Sequence, residues 1–147
     1  MFEKEFLFQT NFKDRKELFK EVSNYLVDQG YVGPEFEAAL NEREENFATG
    51  LPTTPAVAIP HTDGTYVKKD TIVCIVNQNE LEFNEMGGDE DDFVHPKVVF
   101  MLVLGEGETH LQQLQNLIEK IQDGVLVSEI LNAENLDAFK ASVEEYL

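Results

Sequence analysis

Seven consecutive apolar residues, Val98-Val99-Phe100-Met101-Leu102-Val103-Leu104, constrain this chain more than any other stretch. The run is too short to cross a bilayer and has neither helical nor alternating periodicity, so it reads as a strand. Ile72-Val73-Cys74-Ile75-Val76 has the same character and predicts a central strand covered on both faces. After the longer run come Gly105-Glu106-Gly107-Glu108 and then a helical pattern, with Thr109 and Gln112 spaced as a capping box. A strand, loop and helix in that order aim a helix N-terminus at the carboxyl edge of a sheet, where α/β proteins place ligands. The expected class is therefore α/β. At 147 residues, 42% of them apolar, the chain is expected to form one domain with a substantial core.

The other elements follow from local signals. Glu5 to Gln9 reads as a first strand, and Asn11 or Asp14 can cap a helix reaching Gln29, with Leu18, Val22, Tyr25 and Leu26 as its apolar stripe. Gly30 stops it, and Gly33-Pro34 opens a second helix with proline in the first turn. Gly50 to Pro55 is a turn-rich connection, and Leu81-Glu82-Phe83 alternates as an exposed strand does. Asp89-Glu90-Asp91-Asp92 lacks the glycine and distal glutamate of a calcium loop and reads as solvated. Two further helices are expected, one from about Asp123 to Leu131 and one carrying Leu136, Phe139, Val143 and Tyr146.

Three residues stand out against this frame. Ala56-Val57-Ala58-Ile59 is a short apolar run that stops at Pro60, which has no N–H for ladder pairing, so His61 should emerge at a strand's end. A histidine held there can accept a group, bind a metal or shuttle a proton. Arg43 falls in phase with Phe36, Leu40 and Phe47 on a buried stripe, where a guanidinium must find an anion. It either binds a ligand, snorkels outward, or pairs with Glu42, Glu44 or a distant carboxylate. His110 lies in the first turn of the helix whose stripe continues through Leu114, Leu117 and Ile121. There it is either a core histidine or a donor of one N–H to an oxyanion. His95, before Pro96 at the other end of the long strand, reads as structural or incidental.

Charge narrows the function. With 11 basic and 29 acidic side chains the net charge is −18, which argues against nucleic acid and against an anionic membrane surface as partners. Protein partners with a basic face fit better. A single cysteine, Cys74, excludes an internal disulfide and a multi-cysteine metal site, and its apolar strand makes it a packed thiol. No leader and no bilayer-length apolar stretch is read, so the expected compartment is the cytoplasm. Arg43, His61 and His110 together suit phosphoryl transfer, with an imidazole nucleophile, an oxyanion donor and a bidentate phosphate ligand. No Walker-type loop, magnesium carboxylate pair or serine–histidine elbow is present, which disfavours an ATP-driven kinase or a hydrolase.

With these residues in view, the chain resembles the EIIA domains of the bacterial sugar phosphotransferase system, of the fructose–mannitol–nitrogen-regulatory class. The resemblance is carried by Gly30-Tyr31-Val32, Glu42-Arg43-Glu44, Ala58-Ile59-Pro60-His61, and Gly105 to Leu114 with His110-Leu111. Phe47-Ala48-Thr49-Gly50-Leu51 and the acidic loop look most like galactitol-type members. The resemblance implies one domain over 1–147, with a mixed β-sheet of about five strands flanked by helices on both sides. It implies a phosphocarrier whose His61 takes phosphate at Nε2 from the phosphohistidine of HPr. The group then passes to a cysteine on an EIIB partner and serves a membrane EIIC indirectly. His110 matches the second active-site histidine and Arg43 the arginine near it; no cofactor or metal is implied. Pro52-Thr53-Thr54-Pro55 and the acidic loop depart from the pattern, and both bear on the sugar and the partner. The alternative is a regulatory protein of the same fold, whose phosphorylation state controls another protein.

Overall fold

The computed structural model describes residues 3–105 and 108–147, with the side chains of 108 and 109 outside that description. The two apolar runs form the middle of a five-stranded mixed sheet. These are β4, Thr71–Asn77, and β7, Val98–Val103, paired antiparallel with Cys74 opposite Phe100. β1, Glu3–Thr10, lies parallel to β4, and β3, Val57–Ala58, lies parallel to β7. β2, Gly50–Leu51, closes the order β1-β4-β7-β3-β2. Every residue of β4 and β7 is buried, the apolar runs as their composition requires and the polar ends of β4, Thr71 and Asn77, with them.

Successive side chains of these strands enter two separate cores. Val73, Ile75, Val99, Met101 and Val103 pack beneath helices α1, Arg15–Asp28, and α2, Phe36–Asn46. Ile72, Cys74, Val98, Phe100 and Leu102 pack beneath α3, Glu108–Asp123, α4, Val125–Asn132, and α5, Leu136–Tyr146. The flanking helices expected on both faces are thus present. Burial pushes the Cys74 thiol up to about 12, which makes it a packing group. A small hairpin, β5, Phe83–Asn84, with β6, Phe93–Val94, sends Phe83 and Val94 into the α1/α2 core. It crosses β2 at Gly50, where a Cβ would collide with Val94 and lie 2.6 Å from the Asn84 carbonyl oxygen.

Several boundaries differ from the sequence expectation. The first strand is longer than Glu5 to Gln9, because it gains backbone partners along β4. Of the two caps, Asp14 serves, accepting from the Glu17 N–H at 2.9 Å. Tyr25 leaves the α1 stripe and sends its hydroxyl to Glu5. The second helix opens at Phe36 and not at Pro34, and α3 begins at Glu108, so Thr109 lies inside it and not at its cap. The side chain of Thr109 lies outside the described residues. The largest correction concerns Phe47. It is 63% exposed and off the buried stripe, because α2 ends at Asn46 and Phe47 is extended (φ −140, ψ 90). Glu44 is buried in its place, its carboxylate accepting from the Thr49 N–H at 2.8 Å and the Thr49 hydroxyl at 2.7 Å.

Candidate functional site

The site begins where β3 stops. Ala58 is its last ladder residue, and Pro60 offers only a carbonyl, which accepts the Leu102 N–H at 3.0 Å. His61 follows with a single parallel bridge to Leu102, near the C-terminal end of β7. Its ring is fixed at once, because Nδ1 lies 2.8 Å from the Ile59 carbonyl oxygen. A carbonyl only accepts, so the proton sits on Nδ1, and Nε2 keeps the lone pair. His61 is 6% exposed, and burial is the first cause holding its pKa below the ordinary histidine value. The nearby Arg43 charge and His110 push the same way, against the Ile59 hydrogen bond. A neutral imidazole with one defined tautomer is a nucleophile ready to react.

His110 stands beside it, the two rings 5.7 Å apart between centroids and near perpendicular at 74°. Gly105, where the chain leaves β7 for α3, is tied by its N–H to the Asp70 carboxylate at 2.8 Å. His61, His110 and Arg43 line one pocket of about 290 Å³ with Thr62, Asp63, Leu111 and Leu114. The three residues singled out in the sequence therefore meet. His95 does not join them; it is exposed at the opposite end of β7, 3.6 Å from the Glu82 carboxylate.

Arg43 answers the question its position raised. Among the described residues it makes no ion pair, with Glu42, Glu44 or any other carboxylate. Among the described residues its Nε is buried without a hydrogen-bond partner, and its guanidinium lies over the Phe47 ring, 4.6 Å from the centroid. A cation in this state has donors left for an incoming anion. Sequence reasoning missed Thr62 and Asp63 as lining residues. Thr62 Oγ1 accepts the Gly64 N–H and Asp63 accepts the Thr65 N–H, so they shape the turn beyond His61. Asp63-Gly64, a turn dipeptide, is their only trace in the sequence. Among the described residues no cluster of three or more His, Cys, Asp or Glu is placed to hold a metal, and no helix is long and apolar enough to cross a membrane.

Fold and site together define the class, a single α/β domain of the EIIA type. The same fold is seen in enzyme IIA-Mtl of Escherichia coli, solved in complex with phosphorylated enzyme IIB-Mtl. That protein has a TM-score of 0.76 and 20% identity, covering 95% of this chain and 94% of the solved one. The family is more specific: the profile of the phosphoenolpyruvate-dependent sugar phosphotransferase system, EIIA 2, matches residues 1–146, and the chain belongs to that family. It is a phosphoryl-transfer component of that system. The galactitol-specific EIIA component of Escherichia coli K12 is 28% identical over 122 residues, 82% of this chain and 80% of that protein. The mannitol-specific EIICBA component of Vibrio cholerae is 27% identical over 135 residues, 86% of this chain but 19% of that larger protein.

Proposed function

We propose that His61 carries the phosphoryl group between two protein partners. In the first step the Nε2 lone pair attacks the phosphorus of phosphohistidine on HPr. The donor's P–N bond breaks, and its electron pair returns to the donor imidazole. In the second, a cysteine thiolate of EIIB attacks the same phosphorus and the pair returns to Nε2. Both steps balance without a cofactor or metal. Arg43 binds the non-bridging oxygens in flight and His110 donates an N–H to them. The observation that carries this reading is the hydrogen bond from Nδ1 to the Ile59 carbonyl, which leaves Nε2 as the nucleophile.

The likeness to the E. coli galactitol-specific component supports uptake of a sugar alcohol of that class, and the IIA-Mtl complex supports EIIB as acceptor. A membrane EIIC then uses the group indirectly, and the carrier works in the cytoplasm. The net charge of −18 fits partners with basic faces. Incubation with phosphorylated HPr is expected to give an acid-labile, alkali-stable phosphoprotein. His61→Ala abolishes the labelling and His95→Ala leaves it nearly intact. Labelling that persists in the His61 variant overturns the assignment.

A further inference from the structure

Burial does not account for the place of the aromatic ring beside Arg43. At 63% exposure Phe47 keeps most of its apolar surface in water, where burial contributes little. Its backbone is nonetheless held firmly. The Phe47 N–H donates to the Arg43 carbonyl at 2.7 Å, and Glu44 holds Thr49 two residues on. The ring is thereby turned onto the guanidinium at the 4.6 Å already described.

The chemistry of the site gives that contact a purpose. An arginine serving a phosphoryl group that comes and goes must stay in place while the group is absent. A carboxylate would hold it, but would occupy the N–H fork and compete with the phosphoryl oxygens. An aromatic face attracts the cation through its quadrupole and occupies no N–H. The Nε of Arg43, unpartnered among the described residues, is the mark of that second arrangement. Phe47 also lines a pocket of about 340 Å³, with Arg43, Thr62, Asp63 and Tyr66 among its walls. Arg43, Thr62 and Asp63 are shared with the His61 pocket, so the pair stands at the junction of the two.

We infer that Phe47 is a positioning residue for phosphoryl transfer, its ring holding the Arg43 guanidinium beside His61 between transfers. The inference rests on the phosphocarrier reading, and the test separates the two. Phosphoramidate, a small donor that needs no protein docking, labels His61 as ammonia leaves with the broken P–N pair. With it, Phe47→Leu, which keeps an apolar side chain but no ring, is expected to slow labelling about threefold or more. Phe47→Trp, which keeps the face, restores a rate near wild type. In the unphosphorylated protein, the NMR titration midpoint of His61 rises in the leucine variant, as the Arg43 cation moves away. Wild-type rate and midpoint in Phe47→Leu overturn the inference. Equal slowing in the leucine and tryptophan variants overturns it too, as does slowing seen with HPr but not with phosphoramidate. A wild-type protein that fails to label at His61 defeats the carrier reading instead, and the titration still decides whether Phe47 positions Arg43.

Discussion

The two ends of the central strand pair treat buried polar groups in opposite ways. At one end Asn77, the last residue of β4, uses its amide completely. Its Oδ1 accepts from the Phe12 N–H at 2.8 Å and the Thr10 hydroxyl at 2.9 Å, and its Nδ2 donates to the carbonyls of Phe12 and Asn79, each at 2.9 Å. At the other end, where His61 bridges Leu102, Arg43 Nε has no partner among the described residues, and His61 commits Nδ1 while its other nitrogen keeps a lone pair. A saturated network fixes a chain crossing and has nothing left for a ligand. An unsaturated one costs stability and is retained where something is to be bound. The contrast supports the proposed placement of function at the His61 end without reference to any motif.

The sharpest break of this comparison is His110→Ala. If the ring acts as a preorganised donor to the phosphoryl oxygens, its loss slows transfer from HPr about a hundredfold while the fold persists by circular dichroism. An unfolded variant would make His110 a core residue and erase the asymmetry between the two ends. Asn77→Ala should do the reverse. It strands the Phe12 amide and carbonyl groups and should lower unfolding stability by about 3 kcal/mol in urea titration, with transfer by the folded fraction unchanged. A slowed but fully stable Asn77 variant contradicts the division of labour.

The difference in how these ends could be read from sequence is physical. Val98–Leu104 and Ile72–Val76 were legible because an unbroken apolar run needs cover on both faces whatever its neighbours do. His61 was legible because proline's missing N–H acts locally. Arg43 was legible as an anomaly, yet the same spacing misplaced Phe47, since i to i+4 reasoning assumes that the helix continues. It stops at Asn46, where Glu44 captures the Thr49 N–H and hydroxyl, a bond that no periodicity encodes. Asn77 carries no local sign of its role in the sequence, because its bonds to Phe12 span 65 residues. The two-residue strands β2 and β6 carry too few side chains for any pattern, and the alternation of Leu81-Glu82-Phe83 marked only the first residue of β5, with Leu81 and Phe83 buried and not exposed.

A smaller effect sharpens the comparison through pH. Burial, Arg43 and His110 lower the His61 pKa, so the neutral nucleophile should persist as pH falls through the ordinary histidine value of about 6.5. Phosphoryl acceptance from phosphoramidate, corrected for the donor's own ionisation, should therefore hold its plateau below that value and fall only at lower pH. The sign for stability follows. A folded-state pKa below the unfolded one favours the native state above the unfolded value, and this contribution is lost as pH falls toward the folded value. An acid limb centred at or above about 6.5 would show that His61 is not desolvated by its pocket.

The central claim is that the Ile59 carbonyl selects the reactive nitrogen of His61, and long-range ¹H–¹⁵N NMR of the imidazole reads it directly. Before phosphorylation the spectrum should show the Nδ1–H tautomer, with Nε2 unprotonated. After incubation with phosphorylated HPr, the phosphorus coupling should appear on Nε2 while Nδ1 keeps its proton. A resting Nε2–H tautomer, or a phosphoryl group on Nδ1, would contradict the account.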